Sequence, residues 1–325
     1  MRIGVLGASR IAESAIVGPA AELGHRLVVV AARDRDRAVA FAEKFGVERV
    51  ADGYADVIAD PEVDVIYNPL ANALHAPWNL AAIRAGKPVL TEKPFARNAA
   101  EAIEVADAAR AAGVLVLEGF HYLFHPLMTR TFALLDAGAI GLLRHVEVVM
   151  AMPEPAASDP RWFYDLAGGS LMDLGCYGLH VFRMLSRYGG GAPVVTGASA
   201  IVRGDDGRID ESSLVEVAYP GGATGRNTNS MVADGFTFSC RITGEHGALF
   251  LHDFLSPLRD NRLSITVDGH TTVEELPARS TYSYQLDAFA GAVLDGADLP
   301  IGLDDAVDTM RYVDDAYTAA GLPPR

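Results

Sequence analysis

The chain has 325 residues and a mass of 34.5 kDa, which predicts two domains at about 100–200 residues per domain. Half of its residues are hydrophobic and 21% are charged, a composition that excludes a globally disordered protein. The 27 lysines and arginines against 42 aspartates and glutamates give a formal net charge of −15, so we expect no nucleic acid and no anionic membrane as a partner.

Neither a membrane segment nor a secretion signal is predicted. Apolar runs such as Leu27–Ala32 have the length of a strand and fall short of the about 18 residues that a membrane helix needs. The first residues, MRIGVLGASR, lack the apolar core and cleavage site of a signal peptide. Cys176 and Cys240 are too few for a disulfide framework, and the histidines lack metal-ligand spacing. We therefore expect a cytoplasmic protein with no metal site.

The first 120 residues alternate short apolar runs with Ala-rich segments of helical period. Five runs are predicted to be buried strands: Arg2–Leu6, Leu27–Ala32, Val63–Asn68, Val89–Glu92 and Val114–Glu118. Four glycines stand where helices are predicted to end in a left-handed residue: Gly24, Gly46, Gly86 and Gly113. Repeated strand–helix–strand units predict parallel strands with right-handed crossovers. Residues 1–120 are thus predicted to form an α/β Rossmann domain with a doubly wound parallel sheet.

Residues 121–325 are predicted to form an α+β domain with a large, mostly antiparallel open sheet. Its predicted strands are Leu142–Met150, Val194–Val202, Leu214–Tyr219, Gly225–Val232, Thr237–Thr243, Ala248–His252 and Leu263–Val267. Alternation places Val215, Val217 and Tyr219 on one face, which is typical of a half-buried strand. Two helices, near Tyr282–Leu294 and Asp304–Ala319, close the chain, and whether they pack on the first domain is left open.

The turn after the first strand predicts a dinucleotide site. Its sequence is Gly7-Ala8-Ser9-Arg10-Ile11-Ala12, and the dinucleotide fingerprint is G-x-G-x-x-G/A. Gly7 and Ala12 match the first and third small positions, and Ser9 stands where glycine is usual. A hydroxyl there could itself donate to a phosphate at the start of the helix. The alternative is an ordinary strand–helix turn, but the position after the first strand favours nucleotide binding.

The end of the second strand favours NADP(H) over NAD(H). An NAD site uses a carboxylate there for the ribose 2′-hydroxyl, whereas an NADP site uses arginine. Arg33 follows the strand directly, Arg37 lies one helical turn later, and Asp34 suits the N-cap of the next helix. The alternative is that these arginines are a solvated helix start, as we expect for Arg35, and NAD(H) use is left open.

Four further segments occur in the order expected for one enzyme family. They are Asn72-Ala73-Leu74-His75, Glu92-Lys93-Pro94, the run from Glu118 to Pro126 (EGFHYLFHP), and the run from Gly168 to Tyr177 (GGSLMDLGCY). Together they resemble the glucose–fructose oxidoreductase/inositol dehydrogenase (Gfo/Idh/MocA) family, and the resemblance covers nearly the whole chain. With Ser9 in the first turn, the chain is similar to the branch that contains glucose–fructose oxidoreductase and dimeric dihydrodiol dehydrogenase.

The resemblance implies a cofactor site in the first domain. The residues assigned to it besides the first turn and the two arginines are Pro69, Leu70, Asn72, His75, Glu92 and Lys93. Lys93 stands at the carboxyl end of a predicted parallel strand, where open α/β sheets bind ligands. In the family this lysine contacts the nicotinamide ribose and the reacting oxygen of the substrate. An ammonium beside a tyrosine lowers the pKa of the phenol, so Lys93 and Tyr177 are the predicted catalytic residues.

The substrate residues are predicted in the second domain. Asp173, Tyr177 and His180 are spaced i, i+4, i+7 and so lie on one predicted helical face. The family places its acid/base four residues after this aspartate, which is Tyr177 here. His180 is equally interpreted as a helix-packing histidine, and Asp173 as a helix cap, although Ser170 already offers an N-cap. The further candidates are His121, Arg161 and Trp162; Trp162 is equally compatible with the core. Cys176 is expected to be buried and inert, and His125 and Pro126 to cap the next helix.

These features predict an NADP(H)-dependent oxidoreductase that acts on a hydroxyl or carbonyl carbon of a sugar, polyol or cyclic diol. One alternative in the same fold is an NAD-using glycoside hydrolase, and another is a non-catalytic dinucleotide-sensing protein. A serine hydrolase is disfavoured because the chain has no G-x-S-x-G elbow. We also expect a homodimer or homotetramer formed through the sheet of the second domain, as in the resembling family.

Overall fold

The computed structural model describes residues 1–204 and 207–325, which form two compact units. Unit 1 contains Met1–Phe120 and Tyr282–Asp308, and unit 2 contains His121–Thr281 and Thr309–Arg325. Of the helices in these residues, none is both long and apolar enough to cross a membrane.

Unit 1 is built on a six-stranded sheet in the order β3-β2-β1-β4-β5-β6, with every neighbouring pair parallel. The strands are β1 (Arg2–Leu6), β2 (Arg26–Ala31), β3 (Arg49–Val50), β4 (Val65–Asn68), β5 (Val89–Thr91) and β6 (Val116–Glu118). This order is that of the Rossmann fold, so the predicted fold class of this unit is confirmed. The sequence missed β3 because a strand of two residues has no periodicity.

Several helix ends of unit 1 coincide with the predicted signals. The helices within residues 1–120 are α1 (Gly18–Leu23), α2 (Arg35–Phe45), α3 (Tyr54–Ala59), α4 (His75–Arg84) and α5 (Ala99–Ala112), with a π-helical turn, Glu13–Val17, before α1. Gly24, Gly46 and Gly113 have positive φ and end their helices as predicted, and Gly86 has positive φ just after α4. Asp34 caps α2 by accepting from the backbone N–H of Asp36 and Arg37.

Unit 2 is built on an eight-stranded sheet in the order β14-β13-β12-β11-β7-β10-β9-β8. The strands are β7 (Leu143–Ala151), β8 (Val194–Val202), β9 (Asp210–Ala218), β10 (Thr224–Ser230), β11 (Thr237–Gly244), β12 (Gly247–Leu251), β13 (Arg262–Val267) and β14 (His270–Glu275). All pairs are antiparallel except β7 and β10, which are parallel. The mostly antiparallel sheet is confirmed, whereas β14 was missed because this edge strand is almost entirely exposed.

The remaining helices are α6 (Pro126–Asp136), α7 (Cys176–Met184), α8 (Thr281–Asp295) and α9 (Leu303–Ala319), and a π-helical turn, Leu171–Gly175, leads into α7. As predicted, His125 caps α6 by accepting from the Leu127 N–H, with Pro126 at the first helical position. One face of the sheet of unit 2 is buried, as Val146, Val148 and Met150 in β7 show. The other face has charged side chains such as Glu147 and Arg226.

The predicted alternation in β9 is confirmed, since Val215 and Val217 are buried and Glu216 is exposed. Helix α7 approaches this sheet closely because Gly178 faces Asn227 of β10. The Asn227 side chain is fully buried and donates to the Gly175 carbonyl over 2.9 Å. A Cβ at Gly178 would stand 2.2 Å from Asn227 Cγ, so any other residue there would push helix and strand apart.

Gly178→Ala is therefore expected to lower the free energy of unfolding by about 1–3 kcal/mol, the usual effect of overpacking a core. Gly291→Ala in α8 is the matched control, because a Cβ at Gly291 would meet Ala297 Cβ at 3.6 Å, an ordinary van der Waals contact. The control should raise stability by about 0.5–1 kcal/mol, since alanine favours a helix over glycine. Urea unfolding of both variants measures the difference, and equal effects would contradict the close α7–β10 packing.

Candidate active site

The first β–α turn of unit 1 requires glycine at its first position. Gly7 has a φ of +97°, and its N–H donates to the Ala31 carbonyl over 2.7 Å. A Cβ at Gly7 would stand 2.8 Å from Leu70 Cδ2, in the loop that follows β4. Both the left-handed backbone and the close approach exclude a larger residue. Ala12, at the third small position of the motif, is fully buried.

The hydroxyl of Ser9 is the unusual group in this turn. Its Oγ is buried and has no hydrogen-bond partner among residues 1–204 and 207–325. A buried hydroxyl without a partner costs free energy, so such groups mark places where water or a ligand completes the bond. Ser9 stands at the position where the fingerprint lets pyrophosphate approach. The side chains present therefore fit a dinucleotide phosphate.

The arginines after β2 differ in their surroundings. Arg33 is exposed and makes no ion pair in the described part of the chain, whereas Arg35 pairs with Asp52. Arg37 donates from Nη2 to the Ala8 carbonyl over 3.0 Å, so its guanidinium lies at the first turn. Arg10 and Ile11 of that turn are exposed. Of the arginines in this segment, Arg33 is thus exposed directly after β2, and Arg37 has its guanidinium against the first turn.

The Glu92-Lys93-Pro94 segment follows β5, which pairs with β4 and β6. The Tyr67 hydroxyl donates to Glu92 Oε1 over 3.0 Å, and the Glu92 N–H donates to the Asn68 carbonyl. Burial raises the pKa of Tyr67 well above its ordinary value, and the Glu92 carboxylate adds to the shift. Glu92 thus joins the ends of β4 and β5, and Lys93 stands at the carboxyl edge of the sheet.

His75 connects two loops of the predicted cofactor site. It is fully buried, with Nδ1 2.7 Å from the Pro94 carbonyl oxygen and Nε2 2.9 Å from the Leu70 carbonyl oxygen. Burial lowers the pKa of His75, although the two carbonyls oppose this shift. The ring therefore holds the segment Pro69–Leu70 against the Lys93–Pro94 segment. Asn72 begins the short 3-10 turn that precedes α4.

The entry to α7 in unit 2 differs from the prediction for Ser170. Ser170 stands at the predicted N-cap position before the π-helical turn, but its backbone is already helical, with φ −65° and ψ −35°, and its side chain makes no capping bond. Ser170 Oγ instead donates to Asp210 Oδ2 over 2.8 Å, and the Leu171 N–H donates to the same oxygen over 2.6 Å. Asp210 was missed because β9 begins four residues earlier than predicted. The Asp210 carboxylate of β9 thus accepts from the N–H at the start of the turn that a local side chain was predicted to cap.

Asp173 pairs with Arg161 rather than capping a helix. It lies in the π-helical turn, and its Oδ2 accepts from Arg161 Nε over 2.6 Å. Asp159 Oδ1 accepts from Arg161 Nη1 over 3.1 Å. The Asp173 charge is the main reason that the pKa of Arg161 is raised above its ordinary value. Trp162 is partly exposed, with its indole N–H donating to the Pro155 carbonyl, so it is not a core residue.

Tyr177 and His180 on α7 both reach the short 3-10 turn that begins at His121. The Tyr177 hydroxyl lies 3.2 Å from His121 Nε2, and His180 Nδ1 lies 2.7 Å from the Tyr122 hydroxyl. His121 Nδ1 in turn lies 2.7 Å from Thr281 Oγ1. Burial lowers the pKa of His180 well below its ordinary value, and Arg183 adds to the shift. The sequence did not identify Thr281, since no motif links it to residues 160 positions earlier.

Among the described residues of both units, no three His, Cys, Asp or Glu side chains lie close enough together to hold a metal ion. The Rossmann order of the sheet in unit 1, with its glycine-containing first turn, is typical of the class of nicotinamide-dependent oxidoreductases.

The chain belongs to the Gfo/Idh/MocA family of oxidoreductases. Residues 1–120 match the model described as "Oxidoreductase family, NAD-binding Rossmann fold", and residues 129–250 match the "GFO/IDH/MocA C-terminal domain". The chain is 32% identical to D-xylose 1-dehydrogenase (NADP(+)) 2 of Haloferax volcanii, over 98% of this chain and 97% of that protein. It is also 32% identical to mouse trans-1,2-dihydrobenzene-1,2-diol dehydrogenase, over 79% of this chain and 76% of that protein.

The solved structures agree with this assignment. The 3-ketoreductase KijD10 from Actinomadura kijaniata, crystallised with NADP and TDP-benzene, is similar with a TM-score of 0.88 and 30% identity. The match covers 98% of this chain and 97% of that one. The family and the fold class predicted from the sequence are both confirmed.

Proposed function

We propose that the protein is an NADP(H)-dependent oxidoreductase that transfers hydride between nicotinamide and a hydroxyl or carbonyl carbon of a sugar, polyol or cyclic diol. The observation on which the proposal most depends is the buried hydroxyl of Ser9 at the first β–α turn of a Rossmann sheet, which has no hydrogen-bond partner among the residues that the structure describes. The named relatives support the substrate class, because D-xylose and trans-1,2-dihydrobenzene-1,2-diol both have hydroxyls on neighbouring carbons.

The first turn would hold the pyrophosphate of the cofactor. Gly7 allows the close approach, Ser9 Oγ donates a hydrogen bond, and the N-terminal end of the following helix favours negative charge. Arg33 and Arg37 would pair with the 2′-phosphate of NADP. Asp34 does not compete for this role, since its carboxylate caps α2. Relatives support this preference, because NADP appears in the name of the xylose dehydrogenase and in the KijD10 crystals.

Arg33→Asp is expected to invert or flatten the preference for NADP(H). Losing a charge-assisted bond of about 1.5–3 kcal/mol should weaken NADPH binding by about 10- to 100-fold, and NADH binding should be less affected. Arg35→Asp is the matched control, because Arg35 is already paired with Asp52. This variant should leave the ratio of NADPH to NADH affinity unchanged. Fluorescence titration with both nucleotides measures the ratio, and tighter wild-type binding of NADH than of NADPH would refute the assignment.

Two side chains are proposed to act on the substrate. The nicotinamide, when bound, gives or accepts the hydride. Tyr177 would give a proton to the substrate oxygen during reduction and take it back during oxidation, through its hydroxyl oxygen. Lys93 would orient the ribose and the reacting oxygen by hydrogen bonds from its ammonium group. Asp173 and Arg161, already joined to each other, would bind a further substrate hydroxyl.

Tyr177→Phe should lower kcat on the order of 10²–10⁴-fold, the usual effect of removing a positioned proton donor, and should leave NADPH affinity nearly intact. Lys93→Met should impair both kcat and NADPH affinity, since its role includes cofactor and substrate. Steady-state kinetics with D-xylose and a panel of polyols and diols, followed by the NADPH signal, tests both variants. Full kcat in Tyr177→Phe together with loss of activity in His180→Asn would assign the acid/base role to His180 instead.

We further propose a homodimer or homotetramer formed through the open face of the sheet of unit 2. This face is polar rather than apolar, since Arg226 donates to Glu216 over 3.0 Å and Arg241 stacks on Phe250. Pairing with a twin would therefore use hydrogen bonds and ion pairs as well as apolar contact.

Light scattering at micromolar concentration should give a mass of twice or four times the 34.5 kDa of one chain. Arg226→Glu puts a third carboxylate beside Glu216 and Glu147 on this face, so two such faces would repel each other and the mass should shift toward one chain. A wild-type mass of 34.5 kDa would contradict the proposal.

A further inference from the structure

We propose that His121 is the proton partner of Tyr177 and that Thr281 positions its ring. This inference rests on the proposed role of Tyr177 and adds a group that holds the exchanged proton. Tyr177 Oη lies 3.2 Å from His121 Nε2, and Thr281 Oγ1 lies 2.7 Å from His121 Nδ1. All three side chains are buried, with exposed fractions of 3%, 1% and 3% for Tyr177, His121 and Thr281.

The arrangement allows protons to move in either direction. Each end of the imidazole faces a hydroxyl, and a hydroxyl can donate or accept. In one arrangement Tyr177 donates to Nε2 while the Nδ1–H donates to Thr281. In the other, Thr281 donates to Nδ1 while the Nε2–H donates to Tyr177. A backbone carbonyl at one nitrogen would instead fix the tautomer, because a carbonyl oxygen accepts a hydrogen bond and cannot donate one.

Oxidation of an alcohol would move two protons in one step. The hydroxyl proton of the substrate passes to Tyr177 Oη as the Tyr177 proton passes to His121 Nε2. The imidazole becomes an imidazolium whose Nδ1–H still donates to Thr281. The hydride leaves the same carbon for the oxidised nicotinamide, so the substrate loses two electrons and two hydrogens. Reduction of a carbonyl runs through the same transfers in reverse.

The relay has a physical advantage for a buried tyrosine. A phenolate removed from water is costly, because burial disfavours the charged form. With His121 as partner, Tyr177 accepts one proton while it releases another and stays neutral. The charge instead resides on an imidazolium whose two N–H groups each have a hydroxyl acceptor, Tyr177 Oη and Thr281 Oγ1. His121 is thus a positioning residue that acts through Tyr177, in place of the substrate contact that the sequence suggested.

The decisive variant is His121→Gln, which keeps a hydrogen-bond partner for Tyr177 but cannot accept a proton. We expect kcat to fall on the order of 10²-fold, with NADPH affinity and KM nearly unchanged. Added imidazole should partly restore kcat in His121→Ala, and substituted imidazoles should do so in the order of their basicity. The control is His246→Gln, an exposed histidine between β11 and β12, which should keep wild-type kcat and show no rescue.

Thr281 supplies a second test that does not depend on folding of the His121 variants. Thr281→Val removes the hydroxyl at Nδ1 and should lower kcat, whereas Thr281→Ser keeps the hydroxyl and should restore it. Wild-type kcat in both folded His121→Gln and Thr281→Val would overturn the inference. If Tyr177→Phe is also fully active, the proposed function of Tyr177 fails as well; if Tyr177→Phe is inactive, only the role of His121 fails.

Discussion

The Asp210 carboxylate lies fully buried at the start of β9 and receives four hydrogen bonds. Ser170 Oγ and the Leu171 N–H donate to Oδ2, and Tyr317 Oη and Arg325 Nη2 donate to Oδ1. Burial raises the pKa of Asp210, which the positive charge of Arg325 opposes. A buried carboxylate is tolerated only when its bonds are filled, so this group fixes the segment that enters α7.

The two glycines before Ser170 make this contact possible. A Cβ at Gly168 would stand 2.3 Å from the Arg161 carbonyl oxygen. Gly169 has a φ of +123°, and a Cβ there would stand 2.1 Å from Asp210 Oδ1. The backbone therefore passes between Arg161 and the buried carboxylate before it forms the π-helical turn. The directions of Asp173 and Tyr177 follow from this path, because both are fixed by where the turn begins.

In unit 1, side-chain hydrogen bonds between separate segments likewise position the predicted cofactor residues. Side chains inside the unit, rather than local turns, hold the loops after β4 and β5: His75 bonds Leu70 and Pro94, and Tyr67 bonds Glu92. Polar groups that shape these loops have partners, whereas the Ser9 hydroxyl has none among the described residues. The Ser9 hydroxyl is therefore a group in this turn that water or a ligand would complete.

Two arginines, Arg33 and Arg37, provide local positive charge on a chain whose net charge is negative. A net charge of −15 repels an anionic cofactor at long range. Arg33 and Arg37 lie within a few residues of each other after β2, and such short-range attraction exceeds a screened distant field. The acidic surface is thus compatible with a phosphate-binding turn at one sheet edge.

The strands β1, β2 and β4 to β13, the helix caps at Asp34 and His125, and the first turn could be predicted from the sequence, because each depends on neighbouring residues or on a periodic pattern. The folded chain was needed to show that Ser170 bonds Asp210 instead of a helix end, and that Asp173 pairs with Arg161. It was also needed to show that β10 runs parallel to β7, that β14 adds an exposed edge strand, and that Thr281 meets His121. The contacts of Ser170 with Asp210 and of Thr281 with His121 join residues far apart in the chain, and such partners are set by how strands and helices stack. Local propensity contains no information about that stacking, which is why it could not be predicted from the sequence.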